Sequence, residues 1–77
     1  MTRVRYFAAA AEAAGVDAEE RGEATLVELR AAVVAEHPTL AGILPQCAVL
    51  VDGVRSDDDR SLDNATLIDV LPPFAGG

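Results

Sequence analysis

The stretch that most constrains the fold is "TLVELRAAVVAEHP", residues 25–38, because it predicts one clearly delimited helix. Thr25 and Glu28 have the spacing of a capping box, in which the hydroxyl and the carboxylate reciprocally satisfy free amides of the first helical turn. Pro38 ends the helix, since the residue before a proline is displaced from helical backbone angles. The sequence therefore predicts a helix that begins after Thr25 and ends before Pro38.

This helix carries a single apolar stripe, which has to be buried against another element. Its members recur at helical spacing and are Leu26, Leu29 and Val33, with Val27 and Val34 widening the stripe. A chain of 77 residues has room for one domain. We therefore predict an α+β roll, in which one mixed sheet packs on one main helix.

The other segments supply the strands of that sheet. Residues 3–7 and 66–71 alternate apolar and polar side chains, as half-buried strands do. Residues 47–51, "CAVLV", are apolar on both faces and predict an interior strand. The remaining elements are a short alanine helix at 8–15, a charged edge strand within 16–23, a compact connection at 39–45, a tight turn at Asp52 and Gly53, a brief strand at 54–56 and a polar loop at 57–64.

The final strand has a high density of apolar residues, so we place it in the middle of the sheet beside the first strand. Its alternate side chains then meet the helix in one core. The predicted core consists of Val4, Tyr6, Leu26, Leu29, Val33, Ile68 and Val70.

Alternation directs a second set of side chains away from the helix. Leu67, Asp69 and Leu71 then lie on the opposite face of the sheet, beside Arg3, Arg5 and Phe7 of the first strand. We predict there an apolar patch of Phe7, Leu67 and Leu71, rimmed by an Arg5–Asp69 pair. Such a patch is typical of a docking surface for a partner protein.

Charge and cysteine content narrow the function classes. Thirteen acidic residues against six arginines give a formal net charge of −7, which disfavours nucleic acid and anionic membranes and favours basic partner surfaces. Cys47 is the only cysteine, and we expect it to be a small core residue rather than a reactive thiol. No apolar run has the length of a membrane span and no signal peptide is recognisable after Met1, so we expect a cytoplasmic protein.

The residues do not predict an active site within the chain. There is no glycine-rich phosphate loop, and the one histidine, His37, falls in the last helical turn, where an imidazole suits the free carbonyls. The run Asp57–Asp59 lacks the glycine and the terminal glutamate of a calcium loop, so we expect a solvated turn. We therefore predict no metal, no bound cofactor and no catalysis by the chain alone.

The strongest functional signal is the final stretch "LPPFAGG". Pro72 and Pro73 cannot extend the last strand, because neither offers an amide to the ladder. We therefore divide the chain into a domain of residues 1–71 and a flexible tail of residues 72–77.

The tail has the character of a segment that enters a partner. Phe74 is a large apolar group suited to a partner pocket. Gly76 and Gly77 have no side chains, so they can thread a narrow slot and leave the terminal carboxylate accessible. We predict that Gly77, with Gly76 beside it, is the reacting position, and that the partner is bound by Pro72, Pro73, Phe74 and Ala75.

Four stretches together resemble the ubiquitin-like sulfur carriers of the β-grasp fold, and among them most of all the small subunit of molybdopterin synthase. They are "VRYFA" in the first strand, "ATLVELRAAVVAEHP" in the helix, "VDG" after the inner strand and "DVLPPFAGG" at the end. The resemblance covers essentially the whole chain. It departs at residues 63–65, where such proteins often have an Asp-Gly-Asp turn, and we expect Asn64 to adopt the left-handed backbone that the turn needs.

The resemblance implies that the chain is a carrier. In similar proteins a partner activating enzyme uses ATP to adenylate the carboxylate of the last glycine, here Gly77, and a sulfur donor converts it into a thiocarboxylate. The tail then enters the large subunit of molybdopterin synthase, where the sulfur passes to cyclic pyranopterin monophosphate. The implied partners are the activating enzyme and that large subunit.

Three alternatives fit the same features. Sulfur carriers for thiamine or cysteine biosynthesis share the fold and the Gly-Gly end, although the two prolines favour the molybdopterin pathway. A ubiquitin-like modifier would instead be attached to lysines of other proteins through Gly77. A plain interaction module would use the tail for docking only.

Overall fold

The computed structural model describes residues 1–73, which form one five-stranded mixed sheet with its helices on one side. The elements are β1 (Thr2–Tyr6), α1 (Ala9–Ala14), β2 (Ala18–Arg21), α2 (Leu26–Glu36), β3 (Ala48–Val51), β4 (Val54–Arg55) and β5 (Leu67–Leu71), with 3-10 turns at Pro38–Gly42 and Leu44–Gln46. The order across the sheet is β2-β1-β5-β3-β4. The prediction of a mixed sheet on one main helix is confirmed.

The last strand, β5, lies in the middle of the sheet, as predicted. It runs parallel to β1, with Val4 opposite Ile68, and antiparallel to β3, with Val49 opposite Val70. The charged strand β2 is at one edge, where charged side chains discourage unwanted pairing. The segment after β5 therefore starts from a strand that is hydrogen-bonded on both sides.

The helix α2 begins where the capping residues predict, but its capping box is only half formed. The Thr25 hydroxyl accepts a hydrogen bond from the amide of Glu28 at 3.2 Å, while the Glu28 carboxylate accepts from that hydroxyl instead of from the Thr25 amide. A second cap comes from the loop before β5, where the Asp59 carboxylate accepts from the amide of Val27 at 2.8 Å. Asp59 is thus a helix cap and not only part of a solvated turn.

The buried face of α2 is narrower than the predicted stripe. Leu26, Leu29 and Val33 are all buried, and Val34 packs against the core from its margin. Val27 is 55% exposed, so its assignment to the stripe is wrong. Its amide faces Asp59 at the first turn, and its side chain lies on the solvent side of the Leu26–Leu29 line.

The core lies between α2 and the inner face of the sheet, and all seven predicted core residues are at most 3% exposed. Leu62, in the loop that the sequence describes as polar, is also buried at 3% exposure. Among the non-glycine residues described, only Ala8 and Asp52 have a positive φ, so Asn64 does not adopt the expected left-handed backbone. The predicted tight turn is confirmed, with φ of 48° at Asp52 and 84° at Gly53.

Candidate functional site

The outer face of the sheet, the side opposite α2, is the first part of the candidate site. None of the described helices covers it. The strand registers place on this outer face the side chains of Arg3, Arg5, Ala18, Glu20, Ala48, Leu50, Arg55, Leu67, Asp69 and Leu71, with Phe7 just beyond β1.

The centre of the outer face is an ion pair between adjacent strands. The Arg5 guanidinium donates two hydrogen bonds to the Asp69 carboxylate, Nε to Oδ1 at 2.7 Å and Nη2 to Oδ2 at 2.9 Å. The hydrogen bond to Asp69 raises the pKa of Arg5 further above its usual range. The guanidinium carbon also lies 5.5 Å from the centroid of the Phe7 ring, a cation–π distance. The predicted Arg5–Asp69 pair is therefore confirmed, with a fixed bidentate geometry.

This pair divides the apolar patch instead of forming its rim. Leu67 lies opposite Arg3, and Leu71 lies four residues further along β5, opposite Ala48. Asp69 is the outward residue between the two leucines, because alternate side chains of a strand share a face. Phe7, Leu67 and Leu71 are each half-buried, so they form two small apolar areas beside a charged centre.

Two residues of β3 belong to the outer face and were missed in the sequence. Ala48 and Leu50 are half-buried on this side, while Val49 and Val51 are buried in the core. The prediction of an interior strand is correct, but only one of its faces is buried. Leu50 lies directly opposite Asp69, and the two-residue period of a strand could have placed Ala48 and Leu50 on one face.

The base of the tail is the second part of the candidate site. Leu71 pairs with Ala48 at the end of β5. Pro72 is buried and follows Ile68 and Val70 in alternation, and its predicted role in binding a partner stays a prediction. Pro73 is exposed. The roles predicted for Phe74, Ala75, Gly76 and Gly77 lie outside the described residues, and with the division at residue 71 they stay predictions.

One side chain fixes the other end of β5. Asp52 Oδ1 accepts hydrogen bonds from the Thr66 hydroxyl at 2.8 Å, the Thr66 amide at 3.1 Å and the Leu67 amide at 2.9 Å. These hydrogen bonds hold the pKa of Asp52 below its usual range, and the one from the Thr66 hydroxyl contributes most. The β3–β4 turn thereby anchors the strand that leads to the tail.

A polar cluster on the helix side involves His37 but is separate from the outer face. The imidazole Nε2 lies 2.9 Å from Glu19 Oε2, and the Tyr6 hydroxyl donates to the same oxygen at 2.5 Å. Burial would raise the pKa of Glu19, but the hydrogen bonds from Tyr6 and His37 outweigh it and lower that pKa. His37 thus contacts a carboxylate of β2, rather than the helix carbonyls that its position suggested.

The remaining titratable groups do not converge on a reaction site. Cys47 is buried, as expected, and burial raises the pKa of its thiol. Within residues 1–73, no three side chains of His, Cys, Asp or Glu are grouped as a metal site. In the same part of the chain, no helix is long and apolar enough to cross a membrane.

Comparison with known proteins gives three findings. Residues 4–77 match the ThiS family. The molybdopterin synthase sulfur carrier subunit of Chlamydomonas reinhardtii is 34% identical over 80 residues, which cover 97% of this chain and 96% of that protein. The crystal structure of SAMP1 from Haloferax volcanii has a TM-score of 0.79 to this chain, with 24% identity, 99% of this chain covered and 98% of the other. This last likeness concerns the fold alone, and it confirms the predicted β-grasp.

Proposed function

Because the chain belongs to the ThiS family, we propose that it is a sulfur carrier that delivers sulfur from its tail in molybdopterin biosynthesis. The observation that carries the proposal is the 34% identity, over 97% of the chain, with a protein named as the molybdopterin synthase sulfur carrier subunit. In this proposal the chain presents the carboxyl group of its last residue first to an activating enzyme and then to a synthase.

The proposed reacting group is the carboxylate of Gly77. An activating enzyme transfers AMP from ATP to this carboxylate and releases pyrophosphate. A sulfur donor then displaces AMP and leaves a thiocarboxylate, which passes its sulfur to cyclic pyranopterin monophosphate in the large subunit of molybdopterin synthase. In this proposal the partners bind the ATP and the pyranopterin.

The position of the tail supports this role. Its first residues continue β5, which is hydrogen-bonded to β1 on one side and to β3 on the other. The three hydrogen bonds to Asp52 hold the far end of the same strand. A tail that starts from such a strand has a fixed origin, so its six residues can carry the carboxylate no further than about 20 Å from Leu71.

The outer face is suited to docking a partner beside the start of the tail, because it lacks the strong negative charge of the rest of the chain. Three arginines and two acids lie on it, a formal charge of +1, which leaves three arginines and eleven acids, −8, for the remainder. The apolar areas of the outer face can therefore be buried by a partner without burying a concentration of acids. The acidic remainder attracts basic surfaces at long range.

The direct test is intact-protein mass spectrometry after incubation with the activating enzyme, ATP and a sulfur donor. The full chain should gain the mass difference between one sulfur and one oxygen atom. A chain that lacks Gly77 should not, because its carboxylate stops about 3.5 Å short of the reacting position. A chain with one residue added after Gly77 should also fail to gain this mass. The free energies of unfolding of both variants should lie within about 0.5 kcal/mol of the parent, since neither change alters a core residue.

The partner enzyme decides among the alternatives. Activity of the sulfur-loaded chain with the large subunit of molybdopterin synthase supports the proposal. Activity only with a thiazole-forming or cysteine-forming enzyme identifies a carrier for another pathway. The chain has no lysine, so any isopeptide found in a conjugation assay has to lie on a lysine of another protein. Such conjugates, without the sulfur mass shift, would support the modifier and refute the carrier.

A further inference from the structure

Ala8, in the turn between β1 and α1, has backbone angles that alanine rarely adopts. Its φ is 50° and its ψ is −124°, and the amide of Ala10 donates to the carbonyl of Phe7 at 2.9 Å across the turn. These are the angles and the hydrogen bond of a type II′ turn, whose first central position favours glycine. A Cβ in such a position costs more than alanine saves in unfolded-chain entropy. The isolated domain should therefore be at least as stable with glycine at position 8.

Packing within the domain does not offset this strain. Ala8 is exposed, and it belongs neither to the core nor to the partly buried residues packed against it. Within residues 1–73, Asp52 is the other non-glycine residue with a positive φ, but aspartate tolerates that backbone and its carboxylate anchors β5. Strained residues that the fold itself does not require are concentrated at functional sites. The Ala8 methyl therefore points to a contact outside the domain.

Ala8 lines an open cavity of about 400 Å³ between β1, β2 and α1. Two further alanines, Ala11 and Ala18, and the half-buried Phe7 also line it. The cavity adjoins the outer face, since Arg5 and Ala18 belong to both. Its volume is within the range of about 300–1,000 Å³ that is usual for ligand pockets. A large side chain of a docked protein can therefore enter it.

The charges around the cavity favour an apolar occupant. Two arginines of the lining are neutralised within the chain, Arg3 by Glu20 at 2.9 Å and Arg5 by Asp69 at 2.7 Å. Asp17 also lines the cavity and would repel an acidic side chain. The arginines thus need no acid from a partner, and the alanine methyls and the phenyl ring offer apolar contact.

We propose that this cavity receives one apolar side chain of a protein that docks on the outer face, and that the Ala8 methyl is part of the contact. Alanine at position 8 then lowers the stability of the isolated chain and adds apolar contact in the complex, a known form of exchange between stability and function. The inference rests on the proposed function only in taking the activating enzyme as the docking protein.

The first test needs no partner protein. The full chain, labelled at its alanine methyl groups, is titrated with N-acetylphenylalaninamide at millimolar concentration and followed by NMR. The signals of Ala8, Ala11 and Ala18 should shift, whereas N-acetylglycinamide, which lacks the apolar side chain, should not move them. Ala18→Phe, which fills the cavity from β2, should abolish the response. Unmoved signals in the parent would overturn the proposal, and so would larger shifts with N-acetyllysinamide, because the occupant would then be basic.

The second test measures binding of the full chain to the activating enzyme by calorimetry. Ala8→Gly should raise the Kd by about fourfold, the effect of one methyl group in an apolar contact, while the urea midpoint of the isolated chain stays the same or rises. Ala9→Gly is the matched control, because it removes the same methyl group from the next residue, which does not line the cavity. It should leave the Kd unchanged and should not raise the midpoint.

The two readouts separate the cavity from the carrier function. Ala8→Gly with the Kd of the parent, or with a lower urea midpoint, would overturn the role of Ala8 even if the parent gains the sulfur mass. A parent that binds N-acetylphenylalaninamide but is never loaded with sulfur would refute the carrier function and leave the cavity as a binding site.

Discussion

The ten residues of β1 and β5 alternate between the inner and the outer face of the sheet, and the two faces serve different purposes. On the inner face, Val4, Tyr6, Ile68 and Val70 are at most 3% exposed and pack against α2. On the outer face, the residues between them are half-buried or exposed, and a bidentate ion pair replaces the apolar packing. The alternation of side chains thus separates stability from recognition within single strands.

This difference indicates which side chains can be substituted without unfolding the domain. Inner side chains fill a close-packed space, so removing one of them leaves a cavity. Outer side chains contact water on one side, so replacing one of them costs little until a partner covers it. The following predictions test that division, in order of expected effect.

The largest effect on stability should come from Leu29→Ala on α2. Leu29 is 2% exposed, and a cavity at such a position costs about 2–5 kcal/mol, a large share of the 5–15 kcal/mol roughly expected for a whole domain. Urea denaturation measures it. The control is Val27→Ala on the exposed side of the same helix, which should stay within about 0.5 kcal/mol of the parent. Equal losses from the two variants would contradict the inner-face assignment.

Phe7→Glu should weaken binding to the activating enzyme and to the large subunit by about tenfold or more, equivalent to about 1.4 kcal/mol. A carboxylate at this position disrupts the apolar area beside Leu71 and adds a second acid near Asp69. Calorimetry of the two complexes measures the change, and urea denaturation should show an unaltered fold. Val27→Glu, which adds the same charge on the helix side, is the control. If both variants bind like the parent, the outer face is not the docking surface.

Tyr6→Phe should lower stability by about 1 kcal/mol, because it removes one hydrogen bond to Glu19 and keeps the buried ring. The inner face would then depend on a polar cluster at its edge as well as on apolar packing. Urea midpoints at neutral pH measure the loss. Unchanged midpoints would mean that Tyr6 stabilises the fold through its buried ring alone and not through its hydroxyl.

The same cluster predicts a pH dependence. The pKa of Glu19 is lowered in the folded chain, so its contribution is fully present above the unfolded value of about 4.3 and is lost as the pH falls through the lower folded value. Stability should therefore fall on acidification below about pH 4. Tyr6→Phe should reduce that fall, because one of the hydrogen bonds that lower the Glu19 pKa is gone. An identical pH profile for parent and variant would remove Tyr6 from the cause.

The smallest effect should come from Asp59→Ala, at about 0.5–1 kcal/mol. Asp59 accepts from the first-turn amide of Val27, and losing a helix cap has this order of cost. Asp58→Ala is the matched control, since the structure gives Asp58 no hydrogen bond to any residue from 1 to 73. Helix content by circular dichroism during thermal unfolding distinguishes the two variants. A loss shared equally by both would point to charge, not capping.

The sequence alone determined the elements whose signals lie within a few residues. The bounds of α2 follow from Thr25 and Pro38, and the hairpin follows from Asp52 and Gly53. The inner and outer sets of β1 and β5 follow from alternation, since a strand has a period of two residues. Even the Arg5–Asp69 pair could be predicted, because both residues point outward from the adjacent strands β1 and β5 and lie opposite each other.

Only the tertiary structure decided which distant groups meet. Asp59 caps a helix that begins 33 residues earlier, because a backbone bridge between Thr25 and Ser61 joins the two segments. Glu19 on β2 joins Tyr6 on β1 to His37 at the end of α2. It also decided that Val27 is exposed, that Pro72 is buried and that Asp69 separates two apolar areas. Local backbone preferences act over a turn or a strand, whereas burial and pairing depend on what the rest of the chain places opposite each residue.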